Sequence, residues 1–177
     1  MRYQPRLVIP AGLFIIGLGF MLMKLGSGIE SASWLTMLPG CILAGIGLGL
    51  TNTPVTNTTT GAVSPARSGM ASGIDMSARM ISLAINIPIM GFILVEGVRA
   101  SLLANLPSGA DINALQSLAE KIAAGTAGAA QGVSEELVHQ ALADGFGLVM
   151  LYAGISVWFL AAISFMIFGP ARKPAHG

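Results

Sequence analysis

Residues 38–69, LPGCILAGIGLGLTNTPVTNTTTGAVSPARSG, decide the fold. Gly45, Gly47 and Gly49 stand in an apolar run, followed by Pro54 and a block of Thr and Asn. Glycines so placed serve either a phosphate-cradling loop or a membrane helix that lets another helix come close. A dinucleotide fingerprint needs G-x-G-x-x-G between a strand and a helix, and a P-loop needs its lysine. Here the spacing is G-x-G-x-G, the run carries no charge, and no alternation of strand and helix surrounds it. The membrane reading explains the spacing instead. Gly45 and Gly49 are four apart, as are Gly40 and Ala44, so each pair shares a helix face where two backbones can touch. Gly69 and Gly73 repeat the device further on, and Gly17 and Gly19 offer it earlier.

Composition says the same of the whole chain. Of 177 residues 54% are hydrophobic and 10% charged, with a mean hydropathy of +0.76. A soluble domain carries about 25% charged residues, so this chain has too few to cover a globule in water. The net charge of +1 offers nothing to nucleic acid. Cys41 is the one cysteine and reads as a small buried core residue; with His139 and His176 it makes no recognised metal spacing. There is no H-E-x-x-H, no pair of carboxylates within a span and no nucleophile beside a base. The sequence therefore names no catalytic residue, no metal ligand and no cofactor, and an enzyme is not expected.

A helix crosses the hydrocarbon core with about 20 mostly apolar residues. Four runs qualify, at about 7–25, 34–56, 76–96 and 145–168. The start resembles a secretory signal, but its apolar core is too long and three further spans follow it. If the first end lies inside, the inner segments hold Arg2, Arg6, Arg67, Arg79, Arg172 and Lys173 against Asp75 alone. The outer ones hold Lys24, Arg99 and Lys121 among seven acids. Lys and Arg concentrate in cytoplasmic loops, so both termini are expected in the cytoplasm, as four spans require.

The expected fold is thus an all-α integral membrane protein of four spans in a single membrane domain. Residues 97–144 form an extracytoplasmic segment. In it 111–125, DINALQSLAEKIAAG, and 134–146, SEELVHQALADGF, each read as a short amphipathic helix, the second capped by Ser134. The linker 124–132 joins them.

Polar residues within or beside the spans are the candidate site. Asn52, Thr53 and Thr56 follow the glycine run, where Pro54 loosens the helix. They either satisfy freed carbonyls or face a watery vestibule. Ser64 and Pro65 then read as the cap and first residue of a helix running to about residue 96. Asp75 and Arg79 are four apart on it and can pair, as a structural bridge or a gate. Asn86, two residues before Pro88, is polar at membrane depth; such a group lines a pathway or makes an interhelical hydrogen bond.

Residues 38–54, LPGCILAGIGLGLTNTP, and 63–94, VSPARSGMASGIDMSARMISLAINIPIMGFIL, resemble the last third of major facilitator superfamily exporters. The fourteen-helix drug:proton antiporters are the most similar. The residues that carry the resemblance are Pro39, Gly45, Gly47 and Gly49, then Gly69, Ala71, Ser72 and Gly73, then Arg79. Residues 141–163, ALADGFGLVMLYAGISVWFLAAI, are similar to the start of the final helix of that family. The resemblance implies the last four helices of a multidrug or small-molecule exporter of a bacterial inner membrane. It implies alternating access driven by a proton gradient, a small-molecule substrate, the bilayer as surroundings, and an N-terminal half supplied by the rest of a longer chain or a partner subunit. Asn86 and Asn52 would line the path. A non-transporting four-helix assembly or scaffold protein, its glycine faces serving oligomerisation, is the other expectation.

Overall fold

The computed structural model describes residues 5–28, 34–105, 112–126 and 133–168. Among them every regular element is a helix: α1 (Pro5–Ser27), α2 (Trp34–Gly61), α3 (Ser68–Asn105), α4 (Ile112–Ala123) and α5 (Glu135–Phe168), with one 3-10 turn at Pro65–Arg67. The four longer helices are long and apolar enough to cross a membrane. At 1.5 Å per residue they run about 35, 42, 57 and 51 Å for 23, 28, 38 and 34 residues. The last two exceed the hydrocarbon core of about 30 Å by several turns.

α1 lies between α2 and α5, α5 between α1 and α3, and α3 also touches α2 and α4. The close approaches are made by glycine. At the α1–α2 crossing a Cβ on Gly40 would stand 2.7 Å from the Gly19 carbonyl oxygen, and one on Gly47 2.7 Å from that of Gly12. Gly19 in turn meets the backbone of Ala44. At the α1–α5 crossing the Trp158 indole occupies the space a Gly17 side chain would fill. It stacks on Phe14 with ring centres 5.8 Å apart, and its Nε1–H donates to the Phe14 carbonyl at 3.3 Å.

The expected glycine faces therefore divide. Gly40, with Ala44 and Gly47, packs on α1, whereas Gly45, Gly49, Gly69 and Gly73 have nothing within 4 Å of a Cβ. The helical period is the reason: Gly45 and Gly49 lie about 140° and 180° around α2 from Gly40. Cys41 turns away from the α1 contact as well and is exposed rather than buried.

The segment expected outside the membrane, 97–144, differs from the expectation of two short helices. α4 is the amphipathic helix foreseen over 111–125, but the 134–146 stretch is the opening of α5, with no break before the span. Ser134 does cap it: its Oγ accepts from the Leu137 N–H at 3.3 Å, and Glu135 and Glu136 occupy the first turn. α3 likewise continues to Asn105 instead of stopping near 96. The three pieces are held by one core of Val98, Leu102, Leu115, Ala119, Ile122 and Ala141. Apolar burial on both sides of the boundary outweighs the tendency of Gly97 and of the Asp144–Gly145 pair to break the helices there. Gly97 and Gly145 let α3 and α5 meet beneath this core, where a Gly97 Cβ would stand 2.7 Å from the Gly145 Cα.

The other end also runs longer than read. α2 continues through the Thr/Asn block to Gly61. Thr58, Thr59 and Thr60 each donate their hydroxyl to the carbonyl four residues back, at 2.7–2.9 Å, so these side chains bond to the helix that carries them. Ser64 makes no side-chain cap; Pro65 opens the 3-10 turn, and α3 starts at Ser68. Residues 127–132 of the expected linker, together with Arg2, Glu30, Asp111, Arg172, Lys173 and His176, lie outside the described residues.

Candidate functional site

α3 carries Asp75, Arg79, Ser82 and Asn86 at offsets of 0, 4, 7 and 11. At 100° per residue these fall within about 60° of one another, so they form one polar stripe about 16 Å long on an otherwise apolar helix. Arg79 sits about 16 Å along α3 from Ser68.

The stripe touches a neighbouring helix on each side. Arg79 Nε donates to Asp75 Oδ2 at 3.1 Å, and its NH1 group donates to Asn52 Oδ1 of α2 at 3.0 Å. Two turns on, Asn86 Nδ2 donates to the Ser82 carbonyl at 2.9 Å, and Asn86 Oδ1 accepts from the Tyr152 hydroxyl of α5 at 3.2 Å. α2 and α5 are thus both tied to α3 through one polar line. Asp75 and Arg79 are half-buried and Asn86 is exposed.

Magnitudes say what the ion pair is for. A surface i,i+4 pair stabilises a helix by only about 0.3–0.5 kcal/mol. An unpaired Arg at the centre of a membrane helix costs about 2.5–3.5 kcal/mol on insertion scales. Asp75 and Asn52 give the Arg79 guanidinium a partner on α3 and another on α2, and the Asn52 bond joins the two helices. Asn86 has a second N–H and a further lone pair beyond the two bonds it makes.

Asn52, Asp75, Arg79 and Asn86 from the sequence are thus brought onto one line. Thr53 and Thr56 are not. Both are exposed, neither makes a hydrogen bond among the described residues, and Thr53 lines a separate groove against α1. Gly45, Gly69 and Gly73 likewise contribute no contact. Two polar residues were missed. Tyr152 has no signal of its own, because its role depends on where α5 crosses α3. Ser101, whose hydroxyl donates to Asp144 Oδ2 at 2.7 Å, had one: Gly97 and Ser101, and Ala141 and Gly145, are small pairs at spacing four. Among the described residues no group of His, Cys, Asp and Glu is placed to hold a metal ion.

The chain is similar to the multidrug resistance protein Stp of Mycobacterium tuberculosis. In each of two strains, CDC 1551 / Oshkosh and ATCC 25618 / H37Rv, it is 35% identical over 101 residues, which is 57% of this chain and 18% of the relative. The chain thus spans less than a fifth of the length of these curated relatives. No family profile and no solved structure matches it.

Proposed function

We propose that this four-helix unit is the C-terminal portion of a major facilitator superfamily exporter of drugs or other small molecules, working by alternating access. The observation that carries the reading is the 35% identity with Stp over 101 residues. Four membrane-length helices and a polar line across three of them are what such a unit needs. In this reading the stripe on α3 borders the path. Asn86 and Tyr152 offer hydrogen bonds to the substrate, and Asn52 with the Asp75–Arg79 pair forms the contact that parts and re-forms as α2 and α3 move. Further helices, from the same polypeptide or a partner subunit, complete the path. They also carry the acids that couple transport to a proton gradient, because the apolar runs 7–23, 31–66, 80–95 and 145–171 hold no acid. Both termini lie in the cytoplasm and the helices in the inner membrane of a bacterium.

The first test is the native mass. An antibody against the tail 169–177, GPARKPAHG, is used on membranes of the source cell. A band several times 18.1 kDa, or an 18.1 kDa band that co-purifies with a second membrane subunit, supports the proposal. An 18.1 kDa band assembling only with itself overturns it in favour of a scaffold. The second test is efflux of a fluorescent drug by the native assembly carrying Asn86→Ala, with drug accumulation and drug affinity as readouts. Unchanged export and affinity would remove Asn86 from the path.

A further inference from the structure

α3 is held in two different ways along its length. Beyond Gly91 it is packed. Gly97, Val98, Ser101 and Leu102 are buried, and a Cβ on Gly145 would stand 2.9 Å from the Leu94 carbonyl oxygen. Val98 and Leu102 share a core with α4 and with Ala141 of α5. Before Gly91 the one buried residue of α3 is Ala71. There the helix is joined to its neighbours by hydrogen bonds. Arg79 donates to Asn52 of α2 at 3.0 Å, and the Tyr152 hydroxyl of α5 donates to Asn86 at 3.2 Å. Further helices can cover the other faces of this inner part, but they add no packing between it and α5.

The change falls on one short stretch. Residues 86–91, NIPIMG, hold Pro88 and Gly91, the two residue types that weaken a helix most. Pro88 has no N–H, so the Ala84 carbonyl lacks its donor four residues on, and the proline ring crowds that carbonyl. Sharp helix bends, above about 20°, occur at proline.

We infer that α3 is a lever hinged at residues 86–91. The outer arm, 92–105, stays fixed on α4 and α5, and the inner arm, 68–85, swings away from α2. The lengths say which bond yields. From Pro88 back to Ser68 is 20 residues, or about 30 Å, so a bend of about 20° carries the tip about 10 Å aside. Arg79 is nine residues from Pro88, and the axis there moves about 5 Å. That is more than its 3.0 Å hydrogen bond to Asn52 tolerates. At Asn86, two residues from Pro88, the axis moves about 1 Å, which small torsions of Asn86 and Tyr152 follow. Arg79–Asn52 is therefore the latch that the swing releases, and Asn86–Tyr152 marks the fulcrum. Asp75 rides on the inner arm with Arg79, so the guanidinium keeps its counter-charge when the latch opens. The connection 62–67 reaches about 20 Å when extended, so it tethers the tip without preventing the swing. The hinge locates the parting of α2 and α3 and holds whether or not that parting serves transport.

The test measures distances by double electron–electron resonance between nitroxide labels on the native assembly in phosphatidylcholine nanodiscs. Cys41 is replaced by Ala, and any cysteine of the accompanying helices likewise. Ser72→Cys with Met166→Cys spans the inner arm and α5; Leu103→Cys with Leu160→Cys spans the outer arm and α5. All four positions are exposed in this unit. The inner pair is expected to show two distances up to about 10 Å apart and the outer pair one. Pro88→Ala should leave the inner pair a single distance. A Cβ on Gly91 would meet nothing within 4 Å, so Gly91→Ala stiffens the helix without a clash; it should lower the swung population about fivefold and serves if Pro88→Ala fails to assemble. Asn52→Leu should raise the swung population about fivefold, the factor for one net hydrogen bond. A single inner distance in the unsubstituted protein would overturn the inference. So would two inner distances untouched by both stiffening variants, or an outer pair that moves with the inner one, as it would if α3 tilted as a rigid rod. The labels report motion and not export, so a rigid α3 leaves the transport proposal standing and a lack of export leaves the hinge standing.

Discussion

Replacing Gly47 by Ala tests the glycine crossing directly. The added Cβ would stand 2.7 Å from the Gly12 carbonyl oxygen, 2.7 Å from Ile16 Cγ1 and 2.8 Å from the Ile16 nitrogen. Two of these three atoms are backbone and cannot rotate away. Ordinary contact begins at 3.4 Å, so α1 and α2 must part locally by about 0.7 Å, a gap that forfeits a quarter to a half of the dispersion energy of each contact. Overpacking of this kind costs about 1–3 kcal/mol. Ala is also the better helix former by about 1 kcal/mol in water, so the same change at Gly45, which meets nothing, is expected to be neutral or slightly stabilising. The assay is reversible unfolding in mixed micelles with rising dodecyl sulfate. It is followed by the fluorescence of Trp158, which loses its stack on Phe14 as α1 leaves α5, in a Trp34→Phe background. Relative to Gly45→Ala, which carries the same propensity gain, Gly47→Ala should shift the unfolding equilibrium by between about fivefold and somewhat over a hundredfold, and Gly45→Ala itself should not destabilise. Equal midpoints for the two variants, or a larger loss at Gly45, would refute the assignment of faces on α2.

Three further outcomes are expected. Leu102→Ala, at a fully buried position of the core shared by α3, α4 and α5, should cost about 2–5 kcal/mol, while Leu103→Ala, at a position 51% exposed, should cost almost nothing; denaturant unfolding of the two variants checks this. Ser134→Ala removes the cap of α5 and should cost about 1 kcal/mol, visible as faster amide hydrogen exchange at Leu137 and Val138 and unchanged exchange in α1. Tyr152→Phe removes the hydrogen bond to Asn86. Such bonds within membranes average about 0.6 kcal/mol, so the unfolding midpoint should barely move; under the proposed function, export by the native assembly should fall along with that of Asn86→Ala, and the double variant should add little to either.

How far the sequence reached differs between the spans and the site. The apolar runs located all four long helices because exposing that much hydrocarbon to water is too costly, and Ser134 was legible as a cap because capping is local chemistry. Asp75 and Arg79 were legible as a pair for the same reason: one helical turn separates them. The helix ends were not legible. The Thr/Asn block reads as a helix end, yet its hydroxyls bond back to α2 and let it continue; the start of α5 reads as a separate helix, yet the core around Leu102 and Ala141 carries it unbroken into the span. The functions of individual glycines were not legible either. Spacing four says that two glycines share a face but not which face another helix takes. That choice came from seven-residue spacing on both partners, Gly12 and Gly19 against Gly40 and Gly47, which only docking selects. The line joining Asn52, Arg79, Asn86 and Tyr152 belongs wholly to the tertiary structure. It links residues up to 66 positions apart, and no local rule brings a tyrosine of α5 to an asparagine of α3. The sequence by itself determined what must be buried in a membrane and which polar groups would need partners there; the packing of α1, α3 and α5 through their glycines decided which partners they found.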